Sequence, residues 1–201
     1  MGWRMVHDSE IVSLSVPLQF LAFSDAYLDS AERLCAVLRR SPNKSTYARG
    51  SVVLYLTFHA IELFLKAAIL EKSPNEQFGR NHDIEALSNR YATLYPGKKY
   101  AFEAPFRDET DFTGLEPDII KELKVTIKTM KRKNPTDLRH RYPRNMERQL
   151  WNGAVGFEPW SFLVEIDKLK VDIARLTNLI FSANASFQGT RRKRRSPELP
   201  S

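Results

Sequence analysis

The sequence predicts an all-α fold, an up-and-down bundle of four to five helices, on three observations. Apolar residues recur at three- and four-residue intervals in five long segments. No segment alternates apolar and polar residues between hairpin turns, and Pro, Asn and Gly punctuate the gaps. There is no internal repeat.

The first helix spans Pro17 to Arg40, where Leu21, Leu28, Ala31, Cys35 and Leu38 share a stripe that Asp25, Asp29, Glu32 and Arg39 avoid. Pro42 and Asn43 break it. The second, Tyr47 to Leu70, has a seam of Leu56, Ala60, Leu63, Ala67 and Leu70, with Val53, Leu54, Phe58, Ile61 and Phe64 on its other faces. It reads as a central, buried helix. After Ser73-Pro74-Asn75 a shorter helix, His82 to Leu94, turns Ile84, Leu87, Tyr91 and Leu94 inward and stops at Pro96-Gly97. Residues 98–116 have no period; Tyr100, Phe102, Phe106 and Phe112 predict an ordered loop pinned by its aromatic rings. Pro117 suits a first helical position, and Ile120, Leu123, Ile127 and Met130 keep a three-four spacing in a fourth helix that Asn134-Pro135 ends. The last helix starts near Pro159 and aligns Phe162, Ile166, Leu169, Ile173, Leu176 and Ile180. The domain plan is an N-terminal extension over 1–15, a helical domain over 16–183 and a disordered basic tail over 184–201.

A chain of 201 residues buries about 68 to 75% of its unfolded surface, enough for a self-sufficient core. Its 42% hydrophobic and 27% charged residues are those of a folded protein. The single Cys35 has no partner within the chain, which points to a reducing compartment, and the charged start of the chain lacks a signal peptide's apolar stretch. The expected location is the cytoplasm. Residues 51–70 are apolar, but His59, Glu62 and Lys66 would sit at membrane depth, so no membrane association is expected. Of the net charge of +7, Arg191, Arg192, Lys193, Arg194 and Arg195 supply five, leaving a nearly neutral domain. That balance argues against a domain gripping DNA mainly through phosphates. Gly-rich phosphate loops, His-Glu-x-x-His, Gly-x-Ser-x-Gly and metal-spaced carboxylates are all missing, so no cofactor and no metal are expected.

Three places carry chemistry. Glu62 and Lys66 are four apart on the second helix, with His59 one turn earlier on the same side. They form either an internal ion pair that fixes packing or the wall of a polar cleft. Arg139, His140, Arg141, Tyr142, Pro143 and Arg144 concentrate guanidinium, imidazole and phenol groups between two helices. Arginine forks bind phosphate and Tyr or His stacks on a base; the plainer reading is a solvated, helix-capping loop. His82 precedes Asp83 at a helix start, where capping is its common fate and entry into a site the alternative. Trp151 and Trp160, bracketing Phe157, read as core or interface anchors. The Arg-Arg-Lys-Arg-Arg run is an unspecific basic signal.

The motif Ala60-Ile61-Glu62-Leu63-Phe64-Leu65-Lys66, then His82-Asp83-Ile84-Glu85-Ala86-Leu87, then Arg141-Tyr142-Pro143 resembles the HEPN superfamily, the higher eukaryotes and prokaryotes nucleotide-binding domains. The resemblance runs from about Val16 to Ala183. It implies a four- or five-helix bundle that dimerises, acting as an RNase or as a nucleotide- or RNA-binding partner in toxin-antitoxin and defence systems. RNase members carry Arg followed after four to six residues by His. Here Lys133, Asn134 and Pro135 occupy those places before His140, and Arg132 lies one residue too far. The resemblance therefore implies a homodimeric binding module rather than an enzyme. Arg139, His140, Arg141 and Tyr142 are expected to hold the nucleotide or RNA, with Glu62, Lys66 and His82 organising the cleft. A nucleotidyltransferase or antitoxin is the implied partner. Two alternatives stay open: a metal-independent endoribonuclease using His140 with a nearby Arg, and a non-catalytic interaction scaffold.

Overall fold

The computed structural model describes residues 7–79, 82–105, 112–133, 140–145, 147–149, 151 and 157–182. Six helices form there and no strand does: α1 (Ser9–Val12), α2 (Val16–Arg40), α3 (Tyr47–Lys72), α4 (Ile84–Leu94), α5 (Pro117–Lys133) and α6 (Pro159–Phe181). The five long helices match the predicted segments to within about two residues. The short α1 lies within the expected N-terminal extension and packs against the start of α2. Residues 184–201, the expected tail, lie outside the described residues.

Pro17 sits in the first turn of α2, where the missing N–H costs nothing. The α2 stripe then buries Leu21, Leu28, Ala31, Cys35 and Leu38 as its spacing predicts. Thr46 caps α3 by accepting from Arg49 N. The contacts of Ser24 with Ala60 and of Tyr27 with His59 show α2 and α3 running antiparallel. Lys170 of α6 bridges Asp29 and Glu32 of α2, while the Cys35 thiol donates to Pro159 O, so α6 is antiparallel to α2 as well.

The α4 contacts climb in step with α3. His82 meets Glu62, the Tyr91 ring lies 6.3 Å from Phe64, and Tyr95 OH donates to Ala68 O at 2.8 Å. Later residues of the α4 segment thus meet later residues of α3, so the two do not alternate in the strict up-and-down sense. Asp83 Oδ1, accepting from Glu85 N and Ala86 N, caps α4. The loop after α4 is pinned by Tyr100, whose carbonyl accepts from Tyr91 OH, and by Phe102, 5.8 Å from Phe64. Arg175 of α6 donates to the carbonyls of Lys99 and Ala101 from the other side. Phe106 lies outside the described residues.

The core is one cluster drawn from α2, α3, α4 and α6. Phe64, Ile61, Leu65 and Ile69 of α3 are fully buried beside Leu28, Leu38, Ile166, Leu169 and Leu176. By length and composition α3 passes for a membrane span, yet most of it is buried inside the protein. The central α3 is buried as its composition predicts, with Ala60, Ala67 and Leu70 of its seam in the interior. Leu56 and Leu63 are half-buried and share a face with Val52, Tyr55 and His59, because those positions repeat at three and four residues. Among its described side chains α5 adds nothing to the core. Ile120, Leu123 and Ile127 are only half-buried, Ile119 and Val125 are exposed, and the core cluster contains none of them. The periodicity of α5 states that one face is apolar; it does not say what covers that face. The Met130 side chain lies outside the described residues.

Candidate functional site

One face of α3 carries the chemistry. Tyr55, His59, Glu62 and Lys66 follow at intervals of four, three and four, which one helical face requires. Glu62, 3% exposed, receives three donors. Lys66 Nζ lies 2.6 Å from Oε1, His82 Nδ1 2.9 Å from the same oxygen, and His59 Nδ1 3.2 Å from Oε2. Burial alone pushes the Glu62 carboxyl up, but the hydrogen bonds from His59, Lys66 and His82, with the Lys66 charge, hold it down at about 2. The carboxylate is ionised at any ordinary pH. An ionised carboxylate only accepts, so each Nδ1 carries a hydrogen and each imidazole aims Nε2 away from Glu62. Lys66 Nζ also lies 5.5 Å from the centre of the Phe78 ring.

A ring sequence extends from this cluster. The edge of Tyr27 stands 4.6 Å from His59, Tyr55 stacks on His59 at 5.7 Å, and the Arg141 guanidinium lies 5.2 Å over Tyr55. His140 stacks on Phe58 at 5.6 Å. The segment after α5 and the acid-base cluster of α3 thus meet on one face of one helix. Arg141 Nε is buried without a hydrogen-bond partner among the described residues. Tyr142 is exposed, and its carbonyl accepts from Trp151 Nε1 at 2.7 Å. Asn145 Oδ1 accepts from Glu147 N and Gln149 N and closes the turn that follows. Arg139 lies outside the described residues.

His82 enters the site instead of capping α4, because Asp83 already fills the cap. Trp160 is no core anchor: it is 64% exposed, under the Arg39 guanidinium at 4.9 Å, while Phe157 packs inward against Phe162. Sequence reasoning missed Tyr27, Tyr55 and Phe58 as site walls. The interval of four from Tyr55 to His59 was the available signal; Tyr27 comes from another helix and had none. Two surface hollows lie elsewhere, one along Glu103, Glu165, Asp167, Lys168 and Asp172, the other beside Ser88, Tyr95 and Tyr100. The charged groups of the first are exposed or half-buried, and neither hollow surrounds a buried charge, so the α3 face is the better candidate. Among the described residues no group of three or more His, Cys, Asp or Glu is arranged to hold a metal ion.

No protein-family model, no curated protein and no solved structure matches this chain.

Proposed function

We propose that the chain is a HEPN-like nucleotide- or RNA-binding module, homodimeric and cytoplasmic, working in a toxin-antitoxin or defence setting beside a nucleotidyltransferase or antitoxin. One observation carries this reading: Arg141 lies over Tyr55, Tyr55 over His59, and His59 is bonded to Glu62. The Arg141 guanidinium supplies a phosphate contact, and the neighbouring aromatic faces supply stacking for a base. Lys66 is neutralised by Glu62, so Arg141 dominates the local charge; Arg139, His140 and Tyr142 flank it in sequence.

The test is a titration of labelled single-stranded RNA, and separately of ATP and GTP, followed by anisotropy and calorimetry. Arg141→Ala and Tyr55→Ala are each expected to weaken binding by about tenfold or more, matching the roughly 1–3 kcal/mol of a stacking contact. Absence of affinity, or affinity unmoved by Arg141→Ala, overturns the reading in favour of an interaction scaffold. Light scattering after size exclusion reads the oligomeric state.

A further inference from the structure

The cations of this chain are unevenly placed. No acidic residue stands between Arg33 and Ile61, whereas Arg33, Arg39, Arg40, Lys44 and Arg49 all fall there. The last four gather at one end of the bundle, where α2 stops and α3 starts. The start of α6 joins them. The Cys35 thiol donates to Pro159 O, and Phe157 packs so closely on Gly50 that a Cβ there would lie 2.7 Å from its ring. Arg40, Lys44 and Arg49 are exposed, and among the described residues none of the four cations is bonded to a carboxylate.

Helix stability accounts for only part of this set. Arg39 and Arg40 lie in the last turn of α2, where the helix dipole favours a cation. Arg49 lies in the first turn of α3, where the dipole disfavours one, and that turn has no acidic residue to offset it. Its bond from Nη1 to Lys44 O leaves the guanidinium exposed and ties it to the backbone of a second cation. The apolar neighbours are equally unexplained by packing. The Trp160 ring is 64% exposed with the Arg39 guanidinium over it, and Tyr47 is 57% exposed. Val164, one turn beyond Trp160 on the same face of α6, is 47% exposed. Exposed Trp and Tyr among Arg residues is the composition of the anchors that dominate protein interfaces.

We propose that this end of the bundle is a docking surface for an acidic protein segment, which sets apolar side chains on Trp160 and Val164 and carboxylates against Arg40, Lys44 and Arg49. Charge complementarity selects the sign of the partner. The apolar strip selects its class. Glu158, exposed at the start of α6, keeps a carboxylate beside Trp160, where it accepts from Trp160 N and Ser161 N. A nucleic-acid strand carries a charge on every residue and would bring one against that carboxylate. A peptide spaces its carboxylates, so an apolar side chain can meet Trp160 while the acids meet the cations. Val164 offers a base no stacking face, yet it suits the side chain of another protein. The surface shares no residue with the α3 face, so it stands or falls independently of the RNA-binding reading.

The experiment titrates the full chain into a fluorescein-labelled peptide of Glu-Glu-Leu-Trp repeats at physiological ionic strength, followed by anisotropy. Expected is saturable binding that weakens about tenfold or more in Trp160→Ala and in the double variant Arg40→Glu, Lys44→Glu. Their circular dichroism melts should match wild type, because all three side chains are exposed. Exchanging the Leu and Trp of the peptide for Ser should cost a similar factor. The double variant Lys121→Glu, Lys168→Glu removes the same net charge from exposed lysines elsewhere and should bind within about threefold of wild type, as should Arg141→Ala. Absence of saturable binding overturns the proposal. So does full affinity in Trp160→Ala, or an equal loss in the Lys121 and Lys168 variant, which would reduce the effect to net charge. Displacement of the peptide by polyuridylate, with polyuridylate binding falling as far in Trp160→Ala and the Arg40 and Lys44 variant, would assign the surface to nucleic acid and overturn it as well.

Discussion

Replacing Glu62 by Ala would strand the Lys66 ammonium, 7% exposed, with the Phe78 ring beside it and no second carboxylate bonded to it among the described residues. Removing one partner of a buried ion pair costs about 3–5 kcal/mol, because the other charge stays buried without compensation. The titration of Glu62 gives a second route. Its carboxyl is lowered from 4.5 to about 2, which corresponds to about 3 kcal/mol of differential stabilisation. The two routes agree. A depressed carboxyl contributes fully above its unfolded value and loses that contribution as pH falls through its folded value, so the contribution fades between about pH 4.5 and 2. Urea unfolding followed at 222 nm should show Glu62→Ala about 3 kcal/mol less stable than wild type at pH 7, the gap narrowing near pH 2.5. The double variant Glu62→Leu, Lys66→Met should recover most of the loss, since an apolar pair of similar volume replaces an ion pair at little net cost. His59 and His82 remain hydrated in that variant because both are partly exposed. A loss below about 1 kcal/mol in Glu62→Ala, or one independent of pH, would refute the account of a buried, compensated charge.

Three further outcomes follow from packing. A Cβ added at Gly50 would lie 2.7 Å from Phe157 Cδ1, so Gly50→Ala should destabilise by about 1–3 kcal/mol despite alanine's better helix propensity. Calorimetry should find a lower Tm, partly restored by Phe157→Ala. Leu169→Ala in the core should cost about 2–5 kcal/mol in chemical unfolding, whereas Leu123→Ala on α5 should cost less than about 0.5 kcal/mol; equal losses would place α5 in the core. The Cys35 thiol, fully buried and pushed up by burial to about 11, should resist Ellman's reagent until the chain unfolds, so rapid modification of native protein would contradict its position.

The helices and most of the core were legible because burial leaves a periodic trace, as in Leu21, Leu28 and Cys35 of α2 or Phe162 to Leu176 of α6. The Glu62 and Lys66 pair was legible for the same reason: two charges spaced by one turn on an apolar helix require each other. What could not be read depended on distant encounters. The fate of His82 turned on whether Asp83 took the cap, and the place of Arg141 on Tyr55, 86 positions earlier in the chain. The helix of α5 was legible but its surroundings were not, because amphipathicity records a capacity for burial and never the partner.

Ser24 Oγ donates to Ala60 O at 2.7 Å, a carbonyl of α3 whose place in the helix is already fixed. This single bond acts as an axial index between two long rods. Sliding α2 by one turn, about 5.4 Å, would break it and carry the Tyr27 edge off His59 in the same movement. The orientation of an imidazole at the surface is thereby set by a hydroxyl hidden in the seam beneath it.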